Sequence, residues 1–110
     1  MTMKVYPVTF TIAAGAGWTR LASLPTPTGY SRVLRELRLY FGATSGVKIR
    51  LYFETEPIAE ISAEVWNKYI LPYYFDTSVS AGKSLYFEGA NSTASAVTVI
   101  AECVVEETTA

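Results

Sequence analysis

The sequence predicts an all-β domain: an antiparallel β-sandwich, jelly-roll-like, of about eight strands with one short helix near residues 62–70. Three observations carry that reading. Apolar and polar residues alternate with period two in several stretches, as they must where one face of a strand is buried. Clusters of Gly, Pro, Asn and Ser punctuate those stretches at close spacing. A single segment shows helical spacing, which leaves too few helices for βαβ crossovers and a parallel sheet. The chain has 110 residues, half of them hydrophobic and 17% charged. That suffices for one domain over 1–110 with a core, and argues against disorder. No internal repeat of fixed period is present, which disfavours propellers and solenoids.

The first strand is read from Tyr6, Val8, Phe10 and Ile12 alternating with Pro7, Thr9 and Thr11. Pro7 has no N–H to give a second neighbour, so this strand belongs near a sheet edge. Ala14–Gly17 supplies a turn before a strand beginning at Trp18-Thr19-Arg20-Leu21, and Pro25–Gly29 reads as an exposed loop. In Ser31–Phe41, Leu34, Leu37 and Phe41 fit a helical stripe, while Val33, Leu37, Leu39 and Phe41 fit a strand interrupted by Arg35. The partner decides for strand. After Gly42–Gly46, the residues Val47, Ile49, Leu51 and Phe53 alternate with Lys48, Arg50, Tyr52 and Glu54, so the pair is expected to form a long hairpin.

Thr55-Glu56-Pro57 is read as punctuation. In Ile58–Ile70 the residues Ile61, Val65 and Tyr69 lie four apart, with Ser62 placed to cap a helix over Ala63–Tyr69. Pro72 closes that segment, Phe75–Val79 is a short strand, Ser80–Lys83 a turn, and Leu85–Glu88 is extended. Asn91–Ser95 is read as the turn of a second hairpin. It leads into Val97, Val99, Ala101, Cys103 and Val105, which alternate with Thr98, Ile100, Glu102, Val104 and Glu106.

Nine basic and ten acidic residues leave a net charge of −1, without the positive field that draws a protein to nucleic acid. Histidine is absent and cysteine occurs once, so imidazole chemistry and an internal disulfide are excluded and no metal site is expected. The longest uncharged apolar run, Tyr69–Phe75, is too short for a bilayer span. Met1–Ile12 alternates instead of carrying an apolar run, so no secretory signal is expected. Gln is absent and Asn and Asp are scarce, a bias expected of a thermophilic source.

Gly82-Lys83-Ser84 imitates the end of a phosphate-binding loop. The pattern requires Gly where Thr77 stands and a helix where Leu85–Glu88 is extended, so an ordinary turn is expected. The carboxylate pairs Glu54/Glu56, Glu60/Glu64 and Glu106/Glu107 are read as solvated, and Cys103 as a small buried hydrophobe with no histidine to activate it. Arg32, Arg35 and Arg38 surround Glu36 and are expected in ion pairs. Arg35 falls in the apolar phase of its strand and should have a carboxylate partner. Asn91-Ser92-Thr93 matches a glycosylation sequon, read as coincidental. No catalytic residue, cofactor or metal ligand is assigned.

The richest feature is aromatic. Trp66, Tyr69, Tyr73 and Tyr74 fall within one helix-and-loop excursion, and a short helix buries only one stripe. The four residues therefore form the candidate interaction surface, either a protein–protein hot spot or a platform for stacking on sugar rings.

The alternating Val5–Ile12 start, the Val33–Glu54 pair and the closing Leu85-Tyr86-Phe87-Glu88 to Ala96-Val97-Thr98-Val99 pair resemble small β-sandwich or jelly-roll coat and capsid-decoration proteins of viruses. The resemblance implies a non-enzymatic, multi-copy structural subunit of a virion surface, made in the host cytoplasm. Its implied partners are copies of itself and other virion or shell proteins. The alternative expectation is a carbohydrate-binding module that stacks sugar on Trp66, Tyr73 or Tyr74.

Overall fold

The computed structural model describes residues 1–69 and 72–109. Eight strands and one helix follow in order: β1 (Thr2–Ile12), β2 (Thr19–Pro25), β3 (Tyr30–Phe41), β4 (Val47–Phe53), β5 (Glu56–Ser62), α1 (Ala63–Tyr69), β6 (Tyr73–Val79), β7 (Ser84–Asn91) and β8 (Val97–Thr109). They build two four-stranded sheets, β1-β8-β3-β6 and β2-β7-β4-β5, antiparallel throughout. Two such sheets face to face, with the chain passing repeatedly between them, are a jelly roll. Pro7 lies in β1, which has a neighbour on one side only at the edge of the first sheet, and Pro57 lies in edge strand β5 of the second.

Neither expected hairpin forms. β3 and β4 lie in different sheets, as do β7 and β8, so the Gly42–Gly46 and Asn91–Ser95 segments are crossings from one sheet to the other. Alternation reports that one face of each strand is buried, and the two inner faces of a sandwich bury the same kind of residue, so it cannot say which sheet a strand joins. The crossings brace one another at one end of the sandwich. Ser92 N–H donates to the Gly46 carbonyl at 2.9 Å and Gly15 N–H to the Thr93 carbonyl at 3.2 Å. Gly46 has φ +78°, and a Cβ there would lie 2.7 Å from the Thr93 side chain. The hairpin that does form joins β4 to β5 through Glu54, whose φ of 55° makes the tight turn. Strand β5 itself occupies residues read as punctuation and helix approach. The capped helix runs Ala63–Tyr69 with the Ser62 hydroxyl accepting from Val65 N–H at 3.3 Å; Ile70 lies outside the described residues.

The core is the space between the sheets, filled by Ile12, Leu34, Leu37, Ile49, Leu51, Phe87 and Val99 with their neighbours. Phe10 and Phe87 meet across it with ring centres 5.6 Å apart. The mixed helical and strand periodicity of β3 has a local cause. The register shifts between Leu34 and Glu36 against both neighbours: Arg35 is the extra residue of a β-bulge opposite β8, whereas β6 sets two residues, Phe75 and Asp76, against it. The bulge resets the phase, so Leu34 and Leu37, three apart, both point inward. Arg35 is therefore not in the buried phase. Arg32 is, at 7% exposure.

Candidate interaction surfaces

The four aromatics of the excursion differ in exposure. Trp66 is half-buried with its ring 5.4 Å from that of Phe41, closing the core beneath α1. Tyr73 packs partly into the core from β6, and burial raises its phenol pKa. Tyr69 and Tyr74 are exposed, Tyr74 by 78%, and the Lys68 ammonium lies 5.6 Å from the centre of the Tyr69 ring. Tyr74 belongs to the outer face of the first sheet, opposite Glu36 in the ladder.

That outer face combines apolar side chains with ion pairs. Met3, Val5, Tyr40, Tyr74 and Ile100 are exposed on it. Val5 sits opposite Val104, and Ile100 opposite Tyr40. Arg35 bridges Asp76 of β6 and Glu106 of β8, the latter at 3.1 Å, so the expected carboxylate partner is present twice over. The hydrogen bond to Glu106 is the main cause of its raised pKa, and that to Glu36 raises Arg38 in the same way.

The outer face of the second sheet carries a set of residues that sequence reading did not bring together. Arg20 of β2 pairs in register with Glu88 of β7, Glu88 with Arg50 of β4, and Arg50 with Glu60 of β5. One line of alternating charge thus crosses the whole sheet. Arg50 donates to Glu60 at 2.7 Å, which raises its pKa, and Arg20 lies 3.9 Å from Glu88. The guanidiniums lie against aromatic rings. Arg20 sits 4.1 Å from the Tyr86 ring centre and 5.5 Å from that of Tyr52, and Arg50 sits 3.8 Å from that of Trp18. The signal was present, since each residue lies in the polar phase of its strand. The row exists only because β2, β7, β4 and β5 are neighbours, and that order is not written in any local stretch. Beside it, a cleft of about 390 Å³ is lined by Gly17, Trp18, Lys48 and Glu64.

Two buried polar groups belong to the framework. Glu107, grouped above with Glu106 as solvated, is buried instead. The two neighbours point to opposite faces of β8, Glu106 outward to Arg35 and Glu107 inward to Arg32. The Glu107 carboxylate accepts from the Tyr6 hydroxyl at 2.6 Å and from Arg32 Nε at 2.9 Å, which hold its pKa below the ordinary carboxylate value. The Arg32 guanidinium also donates to the Pro25 carbonyl at 2.9 Å and stacks 4.2 Å from the Tyr6 ring centre. Asn91, the sequon asparagine, is 1% exposed, and its Nδ2 donates to the carbonyls of Ile12 and Ser95 at 3.1 and 2.9 Å. The nitrogen that a glycan would occupy is committed inside the folded domain. Cys103 is fully buried, which pushes its thiol pKa up to about 12. Among the described residues there is no cluster of three or more His, Cys, Asp or Glu suited to a metal, and no helix long and apolar enough to cross a membrane.

Fold and surfaces together define a small single-jelly-roll domain with patterned outer faces. No protein-family model matches the chain, and comparison with characterised proteins gives no match in sequence. Among solved structures it is similar to a chain in the acidic stable capsid structure of Helicobacter pylori bacteriophage KHP30. The two share 15% identity and a TM-score of 0.52, over 99% of this chain and 100% of the other. At that identity the likeness is one of fold.

Proposed function

We propose that this protein is a non-enzymatic structural subunit of a virion surface, a coat or capsid-decoration protein that works through contacts with its own copies and with other shell proteins. The single observation that carries the reading is the end-to-end match in fold with a whole chain of a phage capsid. The outer faces agree with it. The first combines aromatic rings, arginines and aliphatic side chains, and the second aromatic rings and arginines, residue types typical of protein interfaces. Tyr74, at 78% exposure on an edge strand, is the member of the expected aromatic surface best placed to meet a neighbouring subunit. The sugar-stacking alternative keeps only Tyr74 fully open among its three rings, since Trp66 lies against Phe41 and Tyr73 is half-buried.

The test is absolute mass by light scattering on a size-exclusion column over a wide range of concentration and salt, followed by electron microscopy of the concentrated fractions. A defined multimer or ordered assembly is the expected result. A monodisperse monomer under every condition overturns the reading.

A further inference from the structure

The row Arg20, Glu88, Arg50, Glu60 is spaced by the strands themselves, about 4.8 Å from one to the next. Its signs read plus, minus, plus, minus. A second copy laid face to face on this sheet can be related to the first by a two-fold axis running along the strands, between β7 and β4. That rotation reverses the row. Arg20 then meets Glu60 of the other copy and Glu88 meets Arg50, and the symmetry repeats both contacts, so all four charges face their opposites. A two-fold axis running along the row would instead set each residue against itself. The charge pattern therefore selects one orientation.

The neighbouring row follows the same rule. Tyr86 and Tyr52 are paired across β7 and β4, so the same rotation places each Tyr86 over a Tyr52 of the other copy. A merely solvated face has no need of these rings, nor of Arg50 set against Trp18. Tyr, Trp and Arg together are the composition of an interface centre. Glu88 is only 20% exposed and Arg50 34%, so each gives up limited hydration on contact.

We propose that the outer face of β2-β7-β4-β5 is an isologous interface between two copies of this chain, with the charge row fixing its orientation. The inference rests on the self-assembling subunit reading and specifies one contact within it. Four strands of seven or eight residues span about 19 by 23 Å, roughly 440 Å² on each copy, which lies at the small end for specific interfaces. The pairing is accordingly weak and salt-sensitive in free solution, and it is populated when a shell holds subunits close together.

Three variants test it by sedimentation and light scattering, with far-UV circular dichroism to verify folding. Replacing Arg20→Glu and Arg50→Glu makes the row acidic, and Glu60→Arg with Glu88→Arg makes it basic. Each is expected to lose self-association by about tenfold or more, since like charges then meet. A mixture of the two is expected to form a one-to-one complex that high salt dissolves. The exchange Arg50→Glu with Glu88→Arg scrambles neighbours within one chain yet keeps every cross-copy pair opposite in sign, so its association is expected to survive. It also serves if the four-fold like-charge rows do not fold. A wild-type multimer whose mass and salt response ignore all three variants overturns this interface and leaves self-assembly through another face standing. A wild type that never associates overturns both.

Discussion

Replacing Asn91 with alanine removes four hydrogen bonds from one buried point where three segments of chain meet. Its amide donates to the Ile12 and Ser95 carbonyls, and its carbonyl accepts from Thr93 N–H at 2.9 Å and from the Thr93 hydroxyl at 2.7 Å. Each bond contributes about 1 kcal/mol net, and a buried partner left unsatisfied costs about 1–3 kcal/mol. Ile12 is fully buried, so its carbonyl is the group least able to recover a bond from water. The expected loss is about 3–5 kcal/mol, which lowers the melting temperature by roughly 12–25 °C for a domain of this size. Urea unfolding followed by tryptophan fluorescence measures it, as a midpoint shift with unchanged slope. Asn91→Asp separates hydrogen bonding from packing. It keeps the acceptor for Thr93 but presents a carboxylate to two carbonyl oxygens, so it should be at least as damaging at neutral pH and recover in part on acidification. A loss below about 1 kcal/mol for the alanine variant would refute the assignment of Asn91 as the brace of this end of the sandwich.

Further outcomes follow from the other buried groups. Glu107 has a folded pKa below its unfolded value, so its stabilising contribution is present above the ordinary carboxylate pKa and is lost as pH falls through the folded one. An acid titration of stability should show that limb, and Glu107→Gln should flatten it. Cys103 has its pKa raised, so the protonated thiol favours the folded state below the free-thiol value, and that advantage is lost as pH rises toward about 12. Its thiol should stay silent to a chromogenic disulfide reagent until denaturant is added, and a native protein that reacts at once would contradict the burial. Gly89→Ala places a methyl 2.5 Å from Ile12 Cδ1 and 2.8 Å from Cγ1. It is expected to destabilise by about 1–3 kcal/mol in thermal unfolding, as overpacked cores do. Trp66→Ala should lower stability by uncovering Phe41, whereas Tyr74→Ala should leave the melting temperature unchanged and weaken assembly.

Much of the fold was legible because its causes are local. The alternations in β1, β4 and β8 follow directly from burial of one face, and the edge position of β1 follows from the missing N–H of Pro7. The helix Ala63–Tyr69 was readable from its spacing and the Ser62 cap. Even Arg35 announced itself, because a charge interrupting an apolar phase demands an explanation. Sequence supplied the partner but not the bulge, which takes its form from pairing with β6 and β8 on both sides.

What lay beyond the sequence was everything that depends on which strands are neighbours. Alternation marks a buried face without naming the sheet, so two apparent hairpins became crossings, and Glu107, read as solvated, and Asn91, read as part of a turn, proved to be buried. The aromatic cluster Trp66, Tyr69, Tyr73 and Tyr74, contiguous along the chain, was divided between core and surface by the geometry of α1 and β6. Conversely, Arg20, Arg50, Glu60 and Glu88, spread over nearly seventy residues of chain, were aligned into one row by the order β2-β7-β4-β5. Composition and periodicity determine that this chain folds as a sandwich, because burial is decided residue by residue. The surfaces it presents are decided by tertiary pairing, because only that brings distant polar phases side by side.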